Sequence, residues 1–222
     1  MSGRPSPNGA IRAVLWDFGG VFTTSPFAAF TKFEQARGLP KDFIRTINAT
    51  NSDSNAWALM ERNEVGREEF GALFEAESRA AGHAVNGGEI LPLLSGELRP
   101  EMVAALRIVA KSFRTACLTN NMRPGHGPSM SQDTDKAARI AEVMAIFEHV
   151  VESSHAGVRK PEPRFYEIAC EMLEIQPSEA VFLDDLGVNL KPARAMGMTT
   201  IKVAAPGQAI ADLEAVLGIS LR

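Results

Sequence analysis

Short apolar runs of strand character alternate with longer stretches of helical spacing along most of this chain. The first run, residues 11–18, is rich in β-branched and aromatic residues and stops at Gly19-Gly20. It reads as a buried strand that ends in a glycine turn. Similar runs follow at 115–119, stopped by Asn120-Asn121, at 149–152, at 180–183, bounded by Asp184-Asp185, and at 199–203. Between them, apolar residues recur at helical spacing over 100–111, 134–147 and 162–173, with shorter helical patterns at 189–196 and 209–216. Strands alternating with helices predict an α/β fold with a doubly wound parallel sheet covered on both faces. In such sheets ligands bind at the carboxyl ends of the strands.

One stretch breaks the alternation. From about 26 to 94 the pattern is helical, with Phe27, Phe30 and Phe33 and then Phe70, Leu73 and Phe74 at helical spacing, and no run reads as a strand. A helical insertion directly after the first strand and its glycine turn would form a subdomain above the strand ends. The expected division is a tail over 1–10, an α/β core over 11–24 and 96–222, and a helical cap over 25–95.

Composition narrows the picture only a little. With 222 residues, 45% hydrophobic and 23% charged, the chain can build one large domain and a smaller appended one. A net charge of -4 argues against nucleic acid or an anionic membrane as the main partner. No apolar run reaches transmembrane length, and the Ser-, Gly- and Pro-containing start lacks the apolar segment of a secretory signal. Two cysteines, Cys117 and Cys170, make no disulfide framework and are expected as buried, reduced thiols in a cytoplasmic protein.

The candidate chemistry lies at the strand ends. Asp17 ends the first strand, Thr119 and Asn120 end the second, Asp184-Asp185 follow Val181-Phe182-Leu183, and Lys160 precedes Pro161 at a helix start. Each has an ordinary reading by itself, as a turn residue, a solvated lysine or an acidic helix start. Together they form a consistent set. Carboxylates converging on one edge repel each other unless a cation joins them, and hard oxygen ligands suit magnesium. A metal and a lysine together neutralise a dianionic phosphoryl group. A carboxylate in that setting can attack phosphorus and form an aspartyl-phosphate.

These residues resemble the four motifs of the haloacid dehalogenase superfamily. Val14-Leu15-Trp16-Asp17-Phe18-Gly19-Gly20-Val21 is similar to the first, Cys117-Leu118-Thr119-Asn120 to the second, Lys160 within Gly157-Val158-Arg159-Lys160-Pro161 to the third, and Phe182-Leu183-Asp184-Asp185-Leu186-Gly187 to the fourth. The resemblance covers nearly the whole chain after the N-terminal tail. It is especially strong to the N-terminal phosphatase-type domains of soluble epoxide hydrolases over 181–198, where Asn189-Leu190-Lys191-Pro192-Ala193-Arg194 and Gly197 also match. No α/β-hydrolase pattern follows the fourth motif, so epoxide hydrolysis is not implied.

The resemblance implies a Rossmann-like core with an α-helical cap, and a Mg2+-dependent hydrolase of a small phosphorylated substrate. Asp17 would be nucleophile and metal ligand, Gly19 would give its backbone carbonyl to the metal, and Asp185 would be the other protein ligand, with Asp184 beside it. Thr119, Asn120 and Lys160 would hold the phosphoryl group. A homodimer is left open.

One position departs from the family pattern. Phosphatases of this kind carry a second aspartate two residues after the nucleophile, which protonates the leaving group and later activates water; here the residue is Gly19. Such acid–base help is worth about a hundred- to ten-thousand-fold in rate. Four consequences are open: substrates with good leaving groups, a substitute side chain such as His126 or His155, a slowly hydrolysed phospho-enzyme, or a module that binds a phosphorylated ligand or a protein without turnover. Dehalogenases also lack the second aspartate, but Asp184-Asp185 favours a metal over an anionic haloacid. The loop 122–135, with Arg123, His126 and Asp133, follows the second motif and would lie near the site.

Overall fold

The structure, a computed structural model, describes residues 11–121 and 134–221. Five parallel strands form one sheet: β1 (Ala13–Trp16), β2 (Arg114–Thr119), β3 (His149–Glu152), β4 (Ala180–Asp184) and β5 (Thr199–Lys202), in the order β3-β2-β1-β4-β5. The central strand β1 is fully buried, and its side chains alternate between two apolar clusters. Val14 and Trp16 join one, and Ala13 and Leu15 join the other. A strand covered on both faces is apolar at every position, which is why the run lacks a polar alternation.

The helical block between β1 and β2 holds α1 (Phe27–Arg37), α2 (Phe43–Ala49), α3 (Ala56–Glu61), α4 (Arg67–Ala80), α5 (Gly87–Ile90) and a 3-10 turn (Leu91–Leu94). It has its own apolar cluster, built on Phe30, Phe43, Ile44, Met60, Phe70, Phe74 and Ile90. Its aromatic residues therefore serve mainly as cap core, as their spacing predicts, with Trp57 half-buried at the margin. The chain leaves and re-enters the core side by side. Thr23 and Leu98 form an antiparallel bridge, and Thr24 N–H donates to the Glu97 carbonyl at 2.8 Å.

The remaining helices cover the sheet. They are α6 (Pro100–Val109), α7 (Thr134–Met144), α8 (Ser153–Ala156), α9 (Pro163–Met172), α10 (Gly187–Ala195) and α11 (Pro206–Leu217). Apolar residues of α6, α7 and α11 pack on the Val14 and Trp16 face, and those of α9 and α10 pack on the other. α6, α9 and α11 each begin with proline, whose missing N–H costs nothing where no intrahelical acceptor exists. The helical spacing read through residue 147 ends in the structure at Met144. Phe147 lies beyond the helix, yet it stays in the core against the Phe22 ring, centroids 5.6 Å apart.

The chain runs outward from β1 through β2 to β3, then returns to the opposite side of β1 for β4 and β5. The direction of travel therefore reverses between β1 and β4. At that switch point adjacent loops diverge and leave a crevice at the carboxyl ends of the strands. Asp17 and Asp184-Asp185 stand on its two sides.

Candidate active site

Asp17 follows the last residue of β1, and its backbone N–H still donates to the Leu183 carbonyl of β4 at 2.8 Å. That bond aligns the two acidic strand ends. The Asp17 side chain is buried, and its Oδ1 accepts from Lys160 Nζ at 2.7 Å and from Phe18 N–H at 2.6 Å. Among the described residues, Oδ2 takes no hydrogen bond. One oxygen of Asp17 is thus held and the other left available.

Lys160 is 1% exposed and bridges two carboxylates, with Asp184 Oδ2 at 2.9 Å as its second partner. Asp184 is saturated. Oδ1 accepts from Leu186 N–H at 2.7 Å, and Asn189 Nδ2 reaches both oxygens at 3.1 and 3.0 Å. Asn189 is itself fixed, because the Tyr166 hydroxyl donates to its backbone carbonyl at 2.6 Å. Asp184 therefore serves as the anchor of Lys160. Asp185 is the less buried member of the pair and lies over Gly20. Gly20 has φ +72°, and a Cβ there would stand 2.1 Å from Asp185 Oδ2, so the turn and the close approach both require glycine. Arg99 Nη1 holds the Gly20 carbonyl at 2.7 Å.

Asp17, Asp184 and Asp185 each place a carboxylate oxygen within 4.8 Å of the others. Among the described residues, Lys160 is the ammonium that touches this group, so three carboxylates face one cation. Burial, then Asp184 and Asp185, push the Asp17 pKa well up, against the pull of Lys160. Burial and then Asp184 push Asp185 up to about 6, with Lys160 and Arg99 opposing. Lys160 is desolvated too, but Asp17 and Asp184 together hold it protonated above the ordinary lysine range. A divalent cation among the three carboxylates would relieve the repulsion. The donor set, all hard oxygen and partly open at Asp17 Oδ2 and Asp185, suits magnesium.

The structure brings most of the sequence candidates together, though not all face the same way. Thr119 is buried at the end of β2, beside β1. The Asn120 side chain is taken up elsewhere: Oδ1 accepts from Lys160 N–H at 2.9 Å, and Nδ2 donates to the Lys160 carbonyl and to Glu61 Oε2, both at 3.0 Å. Gly19 is exposed, with ordinary φ and no heavy atom within 4 Å of an added Cβ. His155 is hydrogen-bonded to Glu152 Oε2 at 2.8 Å rather than to Asp17. His126, Arg123 and Asp133 lie outside the described residues.

Glu61, Arg99 and Arg159 were missed in the sequence. Glu61 comes from the cap, and nothing in Met60-Glu61-Arg62 marks it. Arg159 adjoins the third motif but has the pattern of a solvated charge. Both act through contacts far apart along the chain.

Comparison with known proteins agrees with the geometry. The family of haloacid dehalogenase-like hydrolases matches residues 11–197. The mouse acyl-CoA dehydrogenase family member 10 is 37% identical over 219 residues, covering 95% of this chain and 19% of that protein. The mouse bifunctional epoxide hydrolase 2 is 31% identical over 225 residues, covering 94% of this chain and 39% of its own length. The chain thus spans only a minor part of these relatives. The structure of an enzyme of the haloacid dehalogenase (HAD) family from Bacteroides thetaiotaomicron, a complex with magnesium and inorganic phosphate, shares the fold at a TM-score of 0.57 and 19% identity, over 91% of this chain and 98% of that one. The chain belongs to the haloacid dehalogenase-like hydrolases.

Proposed function

We propose that the chain is a magnesium-dependent phosphohydrolase acting on a small organic phosphate, with Asp17 as nucleophile. The observation that carries the reading is Lys160 pinned between Asp17 Oδ1 and Asp184 Oδ2 beside a third carboxylate, Asp185. In this arrangement Lys160 pairs with Asp17 Oδ1 and opposes the upward push of burial, and Oδ2 is left for bond formation. Asp17, Asp185 and the Gly19 carbonyl would hold the metal, which when bound neutralises phosphoryl charge. That a fold relative was crystallised with magnesium and phosphate supports the choice of both.

In the first step an oxygen of Asp17 forms a bond to phosphorus, and the bond from phosphorus to the leaving oxygen breaks with its electron pair. Lys160 offsets the charge spreading over the phosphoryl oxygens, and Thr119 at the end of β2 binds them. The leaving group departs as an anion or takes its proton from solvent, because Gly19 has none to give. In the second step water opens the aspartyl-phosphate and releases phosphate. Without a carboxylate at position 19 the natural substrate needs a good leaving group, as in an acyl or aryl phosphate. The free, buried thiols Cys117 and Cys170 agree with a reducing, cytoplasmic setting.

Release of phosphate from an aryl phosphate, with and without magnesium, tests the reading. Wild type should require the metal, and Asp17→Asn should abolish turnover; full activity in Asp17→Asn would sink the mechanism. Gly19 favours a second reading, a phospho-enzyme that forms but hydrolyses slowly or a module that only binds. Gly19→Asp separates these: a large gain in turnover marks an intact but weakened enzyme, and no activity in either form across a phosphate library marks the binding module. A dehalogenase ranks last, because the surplus negative charge around Asp17 disfavours an anionic haloacid.

A further inference from the structure

We infer that Glu61 is a positioning residue through which the cap seats Lys160. Glu61 is the last residue of α3 and is 6% exposed, an uncommon place for a carboxylate. Its Oε1 accepts from Trp57 Nε1 at 3.0 Å. Its Oε2 accepts from Asn120 Nδ2 at 3.0 Å and from Arg159 Nε. Its backbone carbonyl accepts from Ser153 Oγ at 2.7 Å. Apart from Trp57, every one of these partners belongs to the core.

Two of the partners adjoin the site. Arg159 precedes Lys160 in the chain, and Asn120 follows Thr119. The Asn120 amide grips the Lys160 peptide on both sides, through the N–H and the carbonyl. That grip needs one orientation of the amide, with Nδ2 toward the Lys160 carbonyl. The Glu61 carboxylate enforces it, because the flipped amide would set Oδ1 against Oε2. Glu61 therefore fixes Asn120, Asn120 fixes the Lys160 backbone, and Lys160 is aimed between Asp17 and Asp184. The role is more than cap stability, since the Asn120, Arg159 and Ser153 partners of Glu61 lie outside the cap.

All three side chains facing Glu61 are donors, spread over both of its oxygens. Glu61→Gln must therefore turn an NH2 group against a donor, although its shape is nearly unchanged. The seating of Lys160 can be read without any substrate, as acylation of its amine by an N-hydroxysuccinimide ester followed by peptide mass analysis, with exposed Lys41 and Lys202 as internal references. Wild type should protect Lys160. Glu61→Gln should raise its acylation about tenfold or more, the size of a lost buried hydrogen bond to a charged group. Glu34→Ala is the control: Glu34 is a buried cap glutamate whose carboxylate accepts from Asp42 N–H and Ile44 N–H at the start of α2, and its loss should leave Lys160 within about twofold of wild type. Wild-type protection in Glu61→Gln overturns the proposal, and so does equal exposure in Glu34→Ala. The effect on turnover rests on the phosphohydrolase reading, and there kcat should fall with Lys160 protection. If wild type does not turn over at all, that reading fails while the labelling still decides this one.

Discussion

On the proposed reading, the Asp185 carboxyl, pushed up to about 6 from an ordinary 3.8, would make proton and metal competitors for one oxygen site. Its proton must leave before magnesium binds, so magnesium affinity should rise as pH passes upward through about 6, a trend that isothermal titration can follow. Without metal the sign reverses. A raised carboxyl stabilises the fold most below 3.8 and loses that contribution as pH climbs through about 6, so metal-free melting temperatures should fall over that interval and recover with magnesium. At Gly20 the φ of +72° and the 2.1 Å approach of Asp185 to an added Cβ leave no room. Gly20→Ala should weaken magnesium binding and lower the melting temperature together. Gly19 is the opposite case, with open space and ordinary φ. Gly19→Asp should fold as wild type does and raise turnover by about a hundred- to ten-thousand-fold, measured as phosphate release.

Elements differ in what holds them. β1 is held by pairing with β2 and β4 and by burial, with four apolar residues packed on both faces. The start of the cap helix α2 is held by a side chain as well as by burial of Phe43, Ile44 and Ile47: Glu34 on α1 accepts from Asp42 N–H and Ile44 N–H, both at 3.0 Å. Removing it strands two donors at a helix start. Glu34→Ala should cost about 1–3 kcal/mol, and hydrogen exchange should show the loss in the cap while the sheet keeps its protection. These elements also show what the chain makes legible. Strand runs, helical spacing and the acidic strand ends are local patterns, and the residues they single out include Asp17, Lys160, Asp184 and Asp185, which the fold brings together, and Thr119 at the end of β2. The direction in which the Asn120 amide points is not local. It depends on Glu61, 59 residues away, and on cap–core packing that no periodicity encodes. Helix ends were the other loss, as at 145–147, where tertiary packing of Phe147 kept the apolar spacing after the helix had stopped.

At the scale of the molecule, a sheet switch point gathers the acids, a helical insertion contacts the core beside them through Glu61, and one buried lysine couples the two sides of the crevice. On the proposed magnesium reading, the cluster of three carboxylates would make the fold and the cation interdependent. Saturating magnesium, at about a hundred times its dissociation constant, should stabilise the protein by about 2.7 kcal/mol in denaturant unfolding. Asp17→Asn and Asp185→Asn should each reduce that gain. The central claim is that Asp17 attacks phosphorus. The most direct measurement is the intact mass of wild type and Asp17→Asn after incubation with acetyl phosphate and magnesium. The account predicts one phosphoryl group on wild type, mapped to Asp17, and none on the variant. An equal adduct on both proteins, or no adduct and no phosphate release from wild type, would contradict it.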